Sequence, residues 1–317
     1  MTKISIIVPV YNIEKEVHKC LDSLVNQNFD DYEIVVVNDG STDNSQSIID
    51  NFKKKYPKIV KSYKKKNGGL SDARNYGLKK ASGDYIVFVD GDDYISSDLL
   101  QVVYKKAQEG YDIVSFNYSK VWDDGSIQNF YNPFISNYRD FIVNFPMAWN
   151  KLYKRTLFDE EFMFKKEIYY EDLELIPSFV LKTNKIAFVE DNLYFYYQRS
   201  NSIMNQNVFN DKLLDIFKIL NSLEKRFKKH GKYNFYRDEL EYLNVEHLLY
   251  SAGLRFSLFG QMGKLYINKA RAIIKKNYPE FKKNKYFKEK SLKFKIVCLL
   301  TYHGHIHVLK MLNSLKK

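Results

Sequence analysis

The sequence predicts a parallel α/β domain followed by a basic helical region. Over the first hundred residues, short β-rich apolar runs alternate with segments of helical spacing. After about Asn205 strand signal gives way to helical patterns rich in lysine. Continuous apolar strands separated by helices indicate β-α-β units whose strands are covered on both faces. The boundary between the two patterns divides the chain into residues 1–205 and residues 206–317.

Each element has its own signal. Residues 4–10 (Ile-Ser-Ile-Ile-Val-Pro-Val) form the first strand run, and Val17, Leu21 and Leu24 follow at helical spacing with Cys20 among them. Tyr32-Glu33-Ile34-Val35-Val36-Val37 is the second strand run. A polar turn, Asn38-Asp39-Gly40-Ser41-Thr42-Asp43, leads into the helical positions Ile48, Ile49 and Phe52. Residues 59–63 read as a weaker strand, Ala73, Tyr76, Gly77 and Ala81 as a helix, and residues 85–89 as a strongly apolar fourth strand. In such sheets ligands bind beyond the carboxyl ends of the strands, where residues 38–43 and 90–93 fall.

Residues 101–205 are irregular and rich in Tyr and Phe. They contain a strand run at 113–118 and a hairpin-type turn, Asp123-Asp124-Gly125-Ser126, and read as an extension that covers the site. Farther on, Leu213, Ile216, Phe217 and Leu220 start one helix, and Leu240, Leu243, His247 and Tyr250 lie on another. Leu292, Ile296, Leu299, Tyr302, Ile306, Leu309, Leu312 and Leu315 step by three or four and predict one continuous apolar stripe.

Composition narrows the function. The 317 residues carry a net charge of +12, which points to anionic partners: nucleic acid, an anionic membrane face or phosphorylated ligands. Two distant cysteines, Cys20 and Cys298, make neither a disulfide framework nor a four-ligand zinc site. On a helix, His303-Gly304-His305-Ile306-His307 puts only His303 and His307 on one face, which is not a full ligand set. The first apolar run is too short for a signal peptide core, and no run reaches the roughly 18 apolar residues of a spanning helix. A cytoplasmic protein is expected, at most peripheral on the inner membrane face.

Four segments carry chemistry. Asp90-Gly91-Asp92-Asp93 places three carboxylates directly after a buried strand, which repel one another unless a cation neutralises them. Hard Mg²⁺ or Mn²⁺ suits such ligands and fills its other positions with water and phosphates; a solvated helix start is the plain alternative. Asp39 ends the second strand and can accept from a uracil imide N–H, or act as an ordinary turn residue. Asn67-Gly68-Gly69-Leu70-Ser71-Asp72-Ala73-Arg74-Asn75 opens a helix with glycines whose N–H groups can approach a phosphate or sugar. Arg74 lies within reach of a nucleotide there. Glu171-Asp172 follows Tyr169-Tyr170 and opens an apolar helical run. A carboxylate in such surroundings can have a raised pKa and serve as a general base, or simply decorate a helix start.

Together these segments resemble the family 2 glycosyltransferases with the GT-A fold. The resemblance spans residues 1–205. It rests on Ile7-Val8-Pro9-Val10-Tyr11-Asn12, Val37-Asn38-Asp39-Gly40-Ser41-Thr42-Asp43, the 67–75 segment, the Asp-x-Asp motif Val89-Asp90-Gly91-Asp92-Asp93, Trp149-Asn150-Lys151-Leu152-Tyr153, Glu171-Asp172 and Tyr196-Tyr197-Gln198-Arg199-Ser200-Asn201-Ser202. It implies a GT-A nucleotide-diphospho-sugar transferase fold: a mostly parallel sheet flanked by helices. It also implies roles. Pro9 and Tyr11 flank the base, with Tyr11 stacking on it; Asp39 takes the uracil N–H; Asn67 and Arg74 contact base or ribose. Asp90 meets ribose or metal, and Asp92 binds a Mn²⁺ or Mg²⁺ ion across the diphosphate. Asp172 is the base with Glu171 beside it, and Arg199 and Ser202 lie near the diphosphate or its lid, where many relatives carry a histidine.

The expected activity is inverting transfer of a hexose or N-acetylhexosamine from a nucleotide sugar, a UDP-sugar on the resemblance, to a hydroxyl of a glycan, lipid-linked or cell-wall polymer acceptor. Two other readings remain at this point. A nucleotidyltransferase would also use a metal and a nucleotide. A basic, aromatic nucleic-acid binder would use the 26 Tyr and 23 Phe for stacking, but no RRM, KH or zinc-finger signature is present. The basic helices with their apolar stripe are expected to meet an anionic membrane surface.

Overall fold

A computed structural model describes residues 2–131, 137–198 and 209–314. The chain forms two compact units, Met1–Asn205 and Gln206–Lys317.

The first unit is built on one mixed sheet. Strands β1 (Ile4–Val10), β2 (Tyr32–Asn38), β3 (Val60–Lys64) and β4 (Tyr85–Phe88) come from the predicted β-α-β stretch. β1 pairs in parallel with β2 and β4, and β2 with β3. Every residue of β1 and β2 is buried, as strands covered on both faces require. Helices α1 (Val17–Val25), α2 (Ser45–Lys55) and α3 (Leu70–Lys80) make the crossovers. The polar residues in these strands are satisfied internally. Ser5 donates to Glu33 Oε1 at 2.6 Å, and Ser82 donates to the same oxygen from its hydroxyl at 2.8 Å.

The Tyr- and Phe-rich stretch does more than cover the site; it supplies the other half of the sheet. Strands β5 (Tyr94–Ile95), β6 (Ile113–Val121), β7 (Ile127–Phe130), β8 (Lys151–Lys154) and β9 (Ile186–Tyr197) follow, with helix α4 (Leu99–Gln108) between β5 and β6. The strand order is β3-β2-β1-β4-β8-β6-β9-β5, with β7 on β6. β8 runs antiparallel between β4 and β6, and β9 runs parallel to β6. The β6–β7 hairpin turns at the predicted place, with Gly125 at φ 81°. Chain-distant β8 and β9 leave no local period, which is why this half read as irregular.

The second unit is helical over its described residues. Its principal helices are Asp215–Lys229, Arg237–Asn244, Gly260–Asn277, Leu292–His303 and Ile306–Ser314, with a π-helical turn at Val245–Ser251 that includes His247. The predicted final stripe is not one helix. Gly304 adopts φ 85° and ends the first helix, with the N–H groups of Gly304 and His305 both donating to Leu300 O at 2.9 Å. Left-handed backbone favours glycine at this position, so His303 and His307 lie on different helices. The burial differs too. Phe294, Val297, Cys298 and Thr301 face inward, while Leu292 and Ile296 of the predicted stripe are exposed. Among the described residues, no helix is long and apolar enough to cross a membrane.

Candidate active site

The carboxyl ends of β1, β2 and β4 converge on the acidic turn that the sequence singled out. Residues after β1 and β2 are stitched together. Asn12 N–H donates to Ser41 Oγ at 3.1 Å, Thr42 N–H to Asn12 Oδ1 at 2.8 Å, and Ile13 N–H to Ser45 Oγ at 3.1 Å. This fixes Tyr11, whose side chain stands 50% exposed beside buried Pro9. An exposed aromatic at a strand end offers a stacking face.

Asp39 serves as the anchor of the next loop. Its carboxylate accepts Gly68 N–H at 3.0 Å and Gly69 N–H at 2.7 Å, pairs with Lys65, and is only 3% exposed. The glycine N–H groups expected to approach a phosphate are therefore directed at Asp39, and a uracil N–H would compete with them for it. Asn67, beside them, is exposed.

Arg74, expected beside the base or ribose, is bound here by protein carboxylates. It starts from α3 but lies inside the molecule, 1% exposed, with its guanidinium 5.3 Å from the Phe164 ring centroid. Nη2 donates to Asp90 Oδ1 at 2.8 Å, and Nη1 donates to Asp172 Oδ1 at 2.9 Å and Glu171 Oε1 at 3.3 Å. One cation thus joins the acidic turn after β4 to an acidic pair about eighty residues later in the chain. Burial works against its charge, but the three carboxylates outweigh that and hold it firmly protonated.

The acidic turn is divided between two jobs. Asp93 points inward, accepting Tyr194 O–H at 2.6 Å and Tyr197 N–H at 2.8 Å. Burial, with repulsion from Asp92 and Asp90, pushes its carboxyl well above the usual range. Tyr194 also accepts Asp90 N–H at 3.1 Å and stacks on Trp149 at 4.3 Å. Asp90 and Asp92 remain partly exposed. Part of the neutralising cation demanded by the sequence is thus Arg74. A Cβ at Gly91 would lie 2.6 Å from Ile13 Cδ1 and 2.8 Å from Pro9 O. Gly91→Ala is therefore expected to displace the turn and cost about 1–3 kcal/mol, read as a lower Tm together with weakened nucleotide binding.

Asp90 and Asp92 fit a hard divalent ion: both offer carboxylate oxygens from a turn held by its glycine. Among the described residues, no group of three or more His, Cys, Asp or Glu side chains is placed to hold a metal. Two protein carboxylates with the rest of the shell from water and phosphate is the pattern of Mg²⁺ sites beside phosphates.

Glu171 and Asp172 open the short helix Glu171–Leu175, entered through Tyr170 at φ 65°. Asp172 Oδ2 accepts Ala148 N–H at 2.9 Å. Burial raises both carboxyls, with repulsion from Asp172 adding to it at Glu171 and from Asp90 adding to it at Asp172, while Arg74 draws both down. Ala148, Lys151, Tyr194 and Phe164 are site-building residues that were not assigned roles from sequence; only Trp149-Asn150-Lys151 was visible there, as a motif without a task. Arg199 and Ser202 lie outside the described residues.

The half-parallel sheet with an acidic turn after its fourth strand, and a carboxylate pair facing that turn through an arginine, defines the GT-A class of nucleotide-sugar transferase folds. The family model described as Glycosyl transferase family 2 matches residues 5–162. Glycosyltransferase GlyG of Streptococcus pneumoniae is 33% identical over 63% of this chain and 72% of its own length. The chain belongs to glycosyl transferase family 2. Glycosyltransferase GlyA of Streptococcus pneumoniae is 39% identical over 63% of this chain, but the chain spans only 31% of that relative. Staphylococcus aureus TarS, named a poly(ribitol-phosphate) beta-N-acetylglucosaminyltransferase, is 31% identical over 62% of this chain and 35% of its own length. The crystal structure of TarS 1-349 in complex with UDP-GlcNAc matches the fold with a TM-score of 0.76, at 23% identity over 99% of this chain and 91% of that one.

Proposed function

We propose that this chain transfers a sugar from a UDP-sugar to a hydroxyl of a glycan, lipid-linked or cell-wall polymer acceptor, with inversion. The observation that carries the reading is Arg74, which holds Asp90 and Asp172 with one guanidinium and so puts a donor-side and an acceptor-side carboxylate in one site. The UDP-GlcNAc complex of TarS and the polymer named for that relative support the donor and acceptor classes.

Tyr11 stacks on the nucleobase, with Pro9, Asn67 and Asp39 around it. Asp90 and Asp92 would hold a divalent ion, which when bound would offset the charge growing on the departing diphosphate. Asp172 accepts the proton of the acceptor hydroxyl as that oxygen attacks the anomeric carbon from the face opposite the diphosphate, which inverts the centre. Arg74 keeps Asp172 charged and in place, and Glu171 shares the same cation. A screen of nucleotide sugars for hydrolysis and transfer with Mn²⁺ or Mg²⁺ tests the reading. Release of UDP from one donor supports it. Release of pyrophosphate from a nucleoside triphosphate would indicate a nucleotidyltransferase instead.

The acceptor side is proposed to work at an anionic membrane surface. Residues 206–317 carry 24 Lys and Arg against 9 Asp and Glu. Exposed Leu292, Ile296, Val308 and Met311 alternate with Lys293, Lys295 and Lys310, which suits interfacial docking. Leu292 is 73% exposed, so Leu292→Glu should leave the fold intact and reduce co-flotation with anionic vesicles. Equal flotation of both proteins would remove this face from the proposal.

A further inference from the structure

Lys151 is buried, charged by type, and has no task in the transfer as described. Its side chain is 1% exposed. Nζ donates to Phe145 O at 2.7 Å, Met147 O at 2.8 Å and Asn150 Oδ1 at 2.6 Å. An ammonium has three N–H donors, and here each has an acceptor. All three acceptors belong to the segment immediately before β8. From the same strand, Tyr153 O–H donates to Ala148 O at 3.1 Å. Two residues of β8 therefore grip the stretch 145–148 through the carbonyls of Phe145, Met147 and Ala148.

That stretch is what holds Asp172. The Met147 carbonyl and the Ala148 N–H belong to one planar peptide group. The carbonyl accepts from Lys151, and the N–H donates to Asp172 Oδ2 at 2.9 Å. We infer that Lys151 is a positioning residue for Asp172, acting through the Met147–Ala148 peptide, which it both fixes in place and polarises. A cation on the carbonyl oxygen strengthens the hydrogen bond given by the N–H of the same peptide. The carboxylate is then held from two sides, Oδ1 by Arg74 and Oδ2 by this amide.

The alternative is that Lys151 merely fills space and ties down a loop. An apolar side chain would fill the same space without the cost of burying an amine. That cost is visible, because burial pushes the Lys151 ammonium down to about 7, with Asp172 pulling the other way. Keeping a lysine here is explained by what its charge does for the peptide beyond it. The inference rests on Asp172 being the base, and adds the residue that sets its second oxygen.

The test compares wild type with Lys151→Met and Lys151→Gln in the full chain. The groups that face Asp172 are Arg74, Glu171, Asp90, Tyr153 and the Ala148 N–H, and all are retained in both variants. Lys151→Met is expected to lower kcat about tenfold or more, as misplaced catalytic groups do, while donor KM changes by less than about threefold. The acid limb of kcat should move to higher pH, because Asp172 loses a polarised donor. Lys151→Gln, which keeps one amide donor, should fall between; if the Met variant does not fold, the Gln variant decides the matter alone. An unchanged kcat, or kcat and KM worsening together with the acid limb unmoved, would overturn the inference. A wild-type chain that turns over no nucleotide sugar would instead strike the transferase reading. Lys151 would then be judged on the ¹³C carboxyl titration of Asp172 in substrate-free protein: an upward move on substitution supports the link, and no move refutes it.

Discussion

Replacing Asp172 with Asn is expected to lower the rate of sugar transfer by about 10² to 10⁴-fold, the usual worth of a general base, while UDP binding should stay within a small factor of wild type. The separation follows from the site. Asp172 touches Arg74 and the Ala148 N–H, whereas Tyr11, proposed to stack on the base, and Asp90 and Asp92, proposed to hold the ion, come from other segments. Asn keeps the shape and can accept one of the two hydrogen bonds through its carbonyl oxygen, with its NH2 turned to the other donor, and it cannot take the acceptor proton at neutral pH. Single-turnover rates and UDP calorimetry on the same preparation would check it. Turnover at the wild-type rate would remove Asp172 from the mechanism.

Arg74→Met should be the most damaging single change to the fold and the site together. It leaves Asp90, Glu171 and Asp172 without the buried cation that all three share. Breaking a buried ion pair from one side costs about 3–5 kcal/mol, and here three partners are orphaned. Thermal or urea unfolding would read that loss. The pH dependence gives the sign independently. Burial already raises the Glu171–Asp172 pair, and Arg74 is the charge that lowers it. Since the base must be deprotonated, rate rises with pH through the raised range. Without Arg74 the limb lies higher still, so residual activity should recover on going alkaline. A limb that stays put, or moves to lower pH, would mean Arg74 does not act on the pair.

Much of the site could be read from sequence because its parts are local. Asp90-Gly91-Asp92-Asp93 follows a strand whose burial is written in Tyr85-Ile86-Val87-Phe88, and the strand-end position of Asp39 follows from the run before it. Side-chain direction was not legible. Asp93 looks like Asp90 and Asp92 in sequence, but it turns inward to Tyr194 and the Tyr197 amide, a contact set by β9 about a hundred residues away. Arg74 read as a nucleotide contact because its helix starts beside the loop; its bonds to Asp90, after β4, and to Glu171-Asp172 are ones no spacing reveals. Strands β8 and β9 of the second half of the sheet were missed for the same reason, as β8 enters antiparallel between β4 and β6. Gly304 was the visible signal against one long C-terminal helix, since a glycine within a helical pattern marks a left-handed stop, and the apolar spacing across it concealed the break.

Asp90, joined through Arg74 to Asp172, and Asp92 beside it form the proposed transfer centre. The most direct measurement is a crystal of the chain soaked with UDP and Mn²⁺, with manganese located by anomalous scattering. The account predicts one manganese peak between the Asp90–Asp92 turn and the diphosphate, with uracil against Tyr11 and Asp172 facing the space beyond the diphosphate. A nucleotide bound away from the ends of β1 and β4, or manganese held by other side chains, would contradict it.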